Sequence, residues 1–187
     1  MLLQMIVNQP PVLGAVLKGT PPWVWGLLAG LVALGLSQAR SRSASLVRVT
    51  VMPVAMTVLS IWGTVSAFGT SPLFGYVMLA WMFAAAMALA VIAPTGAPRG
   101  TAYDAASRTF AMPGSWVPML LILGIFLTKY VVGVELAMQP GLARDGQYTL
   151  VVGALYGFFS GVFAGRAARL WWLAFQSTPL GKPVLTA

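Results

Sequence analysis

A lone ammonium, Lys129, interrupts the apolar run of residues 117–138, which is long enough to cross a bilayer. Lys129 lies 12 residues beyond Val117, roughly 18 Å along a helix and slightly past the midplane of a bilayer. A charge at that depth costs about 2.5–3.5 kcal/mol on insertion scales and marks an ion, proton or ligand site by default. Its helical neighbours Ile125, Phe126, Val132 and Gly133 supply no acid, and Glu135 falls on another face. Three fates follow. The side chain snorkels toward the outer surface, meets a hydroxyl or carbonyl of another helix, or faces a watery cavity.

A second polar set accompanies it. Thr50, Pro53, Thr57, Ser60 and Thr64 recur at spacings of three and four, so they share one helical face. Such a stripe either bonds to neighbouring helices and repairs the carbonyl freed by Pro53, or lines a hydrated path; each interhelical bond is worth about 0.6 kcal/mol. Lys129 with Thr57, Ser60 and Thr64 is the expected solute-binding set.

Gly153, Gly157, Gly161 and Gly165 recur every fourth residue near the C-terminus. Three consecutive GxxxG steps let another helix backbone approach closely, either within the chain or in a second copy. Gly26/Gly30 and Ala80/Ala84/Ala88 offer small faces to match it.

No nucleophile–base pair or paired carboxylates are present, since Asp104, Glu135 and Asp145 fall in separate segments. The chain has no cysteine and no histidine. That excludes disulfides, thiol chemistry and cysteine-bound clusters, and removes the usual ligand of haem and most transition metals. No enzyme, metal site or cofactor is expected.

The elements that must position these residues are membrane spans. Hydrophobic residues make up 59% and charged residues 7% of 187, and mean hydropathy is +0.86, whereas a soluble domain carries about 25% charged residues. The pattern predicts an all-α bundle of five transmembrane helices over residues 21–38, 46–68, 73–93, 117–138 and 148–170. The organisation expected is an interfacial segment over 1–20, the bundle over 21–170 and a cytoplasmic interfacial tail over 171–187. Residues 1–7 lack a basic leader, so no cleavable signal is expected.

Cations fix the direction. Arg40, Arg42, Arg48, Arg99, Arg108, Arg166, Arg169 and Lys182 gather on one predicted side, against Lys18 and Arg144 on the other. The rule that cytoplasmic loops are positive then puts the N-terminus outside and the C-terminus in the cytoplasm. Arg40, Arg42, Arg166 and Arg169 are expected to meet anionic lipid head groups there. The net charge of +8 is thus read as membrane-directed, with no nucleic-acid partner. Trp23, Trp25, Trp116, Trp171 and Trp172 stand at span ends, as an aromatic belt requires.

Short strings repeat between spans. Pro22-Trp23-Val24 matches Ser115-Trp116-Val117, and Trp62-Gly63 with Ser66 matches Tyr156-Gly157 with Ser160. Copies three spans apart run in opposite directions, as in inverted-repeat transporters with a midplane site. The stretches Gly19–Trp25, Ser66–Gly69, Pro113–Pro118, Phe126–Tyr130 and Tyr156–Gly161 resemble a family of small multi-span bacterial inner-membrane proteins of unknown function. The resemblance implies a bacterial inner-membrane location and supplies no activity. Two roles are open from the residues: permeation or transport of a small anionic or proton-linked solute around Lys129, or an accessory role in which the glycine-rich fifth helix docks on a partner or a second copy.

Overall fold

Prolines and short polar stretches cut the apolar sequence into helices, seen in a computed structural model that describes residues 10–177. Helix α1 (Pro10–Gly19) leads into α2 (Pro22–Gln38), whose first position is a proline, where no amide bond is lost. Strand β1 (Arg42–Ser45) precedes α3 (Leu46–Phe68) and α4 (Phe74–Ile92). Strands β2 (Ala102–Asp104) and β3 (Thr109–Met112) follow, then α5 (Val117–Met138) and α6 (Gly146–Ser177). Single 3-10 turns at Ala93–Thr95 and Pro140–Arg144 close α4 and α5.

Four helices, α3 to α6, are long and apolar enough to cross a membrane. Their outer faces expose large apolar side chains such as Val58, Tyr76 and Phe83, as suits a surface covered by lipid or by another apolar partner. The fifth expected span, α2, is shorter at 17 residues, about 25 Å against a hydrocarbon core of about 30 Å. Among the described residues the count of membrane-length helices is therefore four, with α2 a shorter apolar helix.

Helix α6 departs from expectation in the other direction. It has 32 residues, about 48 Å, and continues through residues read as the start of a tail. Asp145 caps its start, its Oδ1 accepting from Tyr148 N at 2.7 Å. Of the segments called interfacial, residues 1–9 and 178–187, with Lys182, lie outside the described residues.

The largest correction is a three-stranded antiparallel sheet, order β1-β3-β2, in what read as two loops. Ala44 pairs with Phe110, and Phe110 with Tyr103, so one row of side chains faces inward. Phe110 is fully buried and its ring centre lies 4.7 Å from that of Tyr103. The row packs with Val49 against Ala167, Leu170, Trp171 and Ala174 of α6. The β2–β3 turn holds Arg108 at φ 51, and its carbonyl accepts from Leu46 N at 3.0 Å. Because β1 joins β3, the end of α2, the start of α3, the start of α5 and the last part of α6 meet at one end of the bundle.

Helix α6 is the hub. It packs most closely on α4, and also on α3, while α2 packs on α5; α5 and α6 touch lightly. The pairs sharing short repeated strings, α2 with α5 and α3 with α6, are thus neighbours in space, each antiparallel. Between α4 and α6 the backbones nearly touch. A β-carbon at Gly157 would overlap the Trp81 carbonyl, and one at Gly161 the Ala85 carbonyl. At Gly153 it would lie 2.8 Å from Val77 O, and at Gly165 2.9 Å from Ile92 Cβ.

The glycine face is therefore filled from within the chain, and docking of a second copy or partner on it is not available in this arrangement. Its match is the face of Val77, Trp81, Ala85, Ala88 and Ile92, which shares only Ala88 with the expected alanine row. Gly26 and Gly30 have nothing within 4 Å.

Candidate functional site

A cleft of about 790 Å³ opens between the two helix pairs, within the range of about 300–1,000 Å³ usual for ligand sites. Leu27 and Leu31 of α2, Met56 and Leu59 of α3, Ile122 of α5 and Phe159 of α6 represent its walls, which are overwhelmingly apolar. Trp23 and Trp62 also line it and are exposed, so they mark its mouth. The polar side chains that reach it are Thr20, Ser60, Lys129, Tyr130 and Tyr156, with Ser160.

Lys129 is half-buried on the cleft wall. Its ammonium crosses from α5 to the opposite pair and lies 4.9 Å from the centre of the Tyr156 ring, on α6. On the α3 side it fills the space at Gly63, where a β-carbon would overlap Nζ. Lys129 thus lines the cleft and meets another helix through a ring face and a bare backbone, not through the expected hydroxyl or carbonyl. Among the described residues the ammonium meets no carboxylate.

Most of the hydroxyls are already engaged. Ser60 Oγ accepts from Trp81 Nε1 at 3.0 Å and donates to Tyr156 O at 3.1 Å, so one serine joins α3, α4 and α6. Ser160 Oγ donates to the same carbonyl at 3.0 Å. Thr64, fully buried, bonds back to Ser60 O at 2.9 Å. Neither Thr64 nor Thr57 lines the cleft; Ser60 does. Within the stripe Ser60 bonds to other helices while Thr50 and Thr64 bond back along α3, and the expected convergence of Lys129 with Thr57, Ser60 and Thr64 is reduced to Lys129 with Ser60. The reason is which face α3 turns inward: Ser60 meets α4 and α6, while Met56 and Leu59 border the cleft.

At the end remote from the sheet, Tyr130 OH and Thr20 Oγ1 are 2.6 Å apart. Thr20 Oγ1 donates to Val16 O at 2.8 Å, which leaves Tyr130 as donor in the pair. The contact ties the α1–α2 corner to α5. Gly63, Tyr156, Thr20 and Tyr130 were not singled out as site residues from sequence. The available signal was the resemblance, since Lys129, Tyr130 and Tyr156 all fall inside its stretches.

The arginines separate into two groups. Arg40 is exposed on the α2–β1 link. Arg42 donates to Gln38 Oε1 at 2.9 Å, and burial together with neighbouring Arg48 holds its guanidinium below the usual pKa. Arg166 lies within electrostatic reach of Arg169 and Arg42. Arg169 donates to Thr95 Oγ1 at 3.2 Å, while its Nε is buried without a hydrogen-bond partner. Because α6 runs on to Ser177, Arg166 and Arg169 lie well inside the helix, beside β1 and the 3-10 turn, rather than one turn from its end.

No curated protein and no solved structure matches the chain. With its membrane-length helices, its cleft and the Lys129 niche described, the remaining comparison is with protein families: over residues 1–181 the chain belongs to a family of unknown function, DUF6622.

Proposed function

We propose that this is a non-enzymatic, multi-pass protein of the bacterial inner membrane that binds an amphipathic anion within the bilayer and passes it along the Lys129 cleft. The carrying observation is the Lys129 ammonium, held on an apolar wall over the Tyr156 ring with no acid beside it. A cation so placed favours an anionic group. The apolar walls favour a solute with its own apolar surface over a hydrated inorganic ion. The antiparallel pairs α2–α5 and α3–α6 support the reading, because a site between inverted halves is the transporter arrangement.

Five crossings with the N-terminus outside belong to the same proposal. Alternation of the five helices between the sheet end and the other end supports it, as does the arginine excess at the sheet end. With no native cysteine, Arg144→Cys is expected to react with an impermeant thiol reagent from outside the cell and Arg99→Cys only after the membrane is opened. The reverse pattern removes the orientation.

Binding is tested with a brominated alkanesulfonate, which stays charged at all working pH values and quenches tryptophan. Wild type is expected to show saturable quenching. Lys129→Met should weaken it at least thirtyfold, as about 2 kcal/mol or more is lost when a buried charge loses its partner. A neutral brominated alcohol should quench both alike. Equal sulfonate binding by wild type and Lys129→Met overturns the reading.

A further inference from the structure

We propose that Arg42, Arg48, Arg166 and Arg169 together hold a lipid that carries two phosphate groups, at the sheet end of the bundle. Three separate segments supply these guanidiniums: β1, the first turn of α3, and α6. Arg166 is within electrostatic reach of Arg42 and Arg169, and Arg42 of Arg48, so the four form a continuous positive surface. Like charges gathered this way repel unless an anion sits among them.

The chain's own acids do not fill that place. Asp104 accepts from Ser107 Oγ at 2.5 Å and Ala106 N at 3.0 Å. Asp145 caps α6 at the opposite end, and Glu135 lies toward that end of α5. Arg169 adds an independent observation. Its Nε is buried without a partner, and a buried polar group left unpaired points to a missing acceptor such as a bound ion. Phosphate oxygens match the guanidinium fork in pairs.

Depth favours a lipid over a soluble phosphate. Arg166 and Arg169 stand about 30 to 35 Å along α6 from Gly146, the level of phosphates on the far side of a hydrocarbon core about 30 Å thick. Exposed Trp172 and Phe175 continue α6 at that level, where aromatic side chains favour the interface. Four guanidiniums suit two phosphates better than one, and Arg40, on the α2–β1 link and outside electrostatic reach of Arg42 and Arg166, is not included.

The test titrates the full-length protein in neutral detergent with phosphatidylcholine, phosphatidylglycerol, cardiolipin and inorganic pyrophosphate, reading occupancy by native mass spectrometry. Cardiolipin, with two phosphates, is expected to bind tightest. Arg42→Gln with Arg169→Gln should weaken it about thirtyfold, whereas Arg40→Gln with Arg99→Gln should leave it unchanged. Lys129→Met should also leave it unchanged, which separates this site from the cleft. Equal binding of one- and two-phosphate lipids, or no loss in the Arg42/Arg169 variant, overturns the proposal. Pyrophosphate displacing cardiolipin at equal concentration overturns the lipid assignment in favour of a soluble diphosphate. If the double variant does not fold, the wild-type lipid series together with Arg48→Gln, at an exposed position, decides the matter: no preference and no loss refute it.

Discussion

The Lys129 ammonium rests 4.9 Å from the centre of the Tyr156 ring, with room on its other side because Gly63 has no β-carbon. A cation over a ring is worth about 2 kcal/mol when desolvated, comparable to the cost of inserting the charge. The ring face thus offsets part of what burial of the ammonium costs.

Gly63→Ala places a methyl group where Nζ lies. The long lysine stem yields before the backbone does, so the fold is expected to survive while the ammonium leaves the ring. Modification of Lys129 by an amine-directed reagent, read by mass spectrometry, should accelerate at least threefold over wild type. An unchanged rate would mean the glycine is not what accommodates the amine.

The close approach of α4 to α6 makes a sharper structural demand. Gly157→Ala forces a β-carbon onto the Trp81 carbonyl, and overpacking of this kind costs about 1–3 kcal/mol. Gly26→Ala meets nothing within 4 Å and should leave stability unchanged or slightly raised, since alanine is the better helix former. Unfolding in detergent compares the two. Equal stability of both variants would contradict the α4–α6 contact.

Ser60 and Thr57 lie one turn apart on α3 but differ in what they hold. Ser60→Ala leaves the buried Trp81 Nε1 without its acceptor, at a cost of about 1–3 kcal/mol. Thr57→Ala removes a hydroxyl that lines no cavity and should change stability by less than about 0.5 kcal/mol. Thermal unfolding of each tests the bonding role of Ser60, and an equal or larger loss at Thr57 would overturn it.

The helices were legible because unbroken apolar runs bounded by Pro, Gly and Ser have few other solutions in lipid. The glycine repeat announced a close contact, yet its period could not say which face of α4 would meet it. That depended on Val77 and Trp81, which are not small. The hydroxyl spacing correctly put Ser60 and Thr64 on one face, but not which neighbours that face would meet.

The sheet escaped because its strands have only three or four residues and pair across long sequence separations, Ser45 with Thr109 for instance. No local period of useful length exists in such strands. Helix α6 overran its expected end at Leu170 because Arg166, Arg169, Trp171 and Trp172 read as a membrane boundary. The inward row of the sheet instead packs along that stretch and extends the helix beyond it.

That sheet also constrains how the two halves can part. β1 connects α2 to α3 and is hydrogen-bonded to the strand that leads into α5, so both halves are clasped at the same end. Separation there would break a ladder of main-chain bonds, whereas the Thr20–Tyr130 hydroxyl contact ties α5 to the α1–α2 corner within a single helix pair. The main-chain tie between the two helix pairs therefore sits at the arginine end.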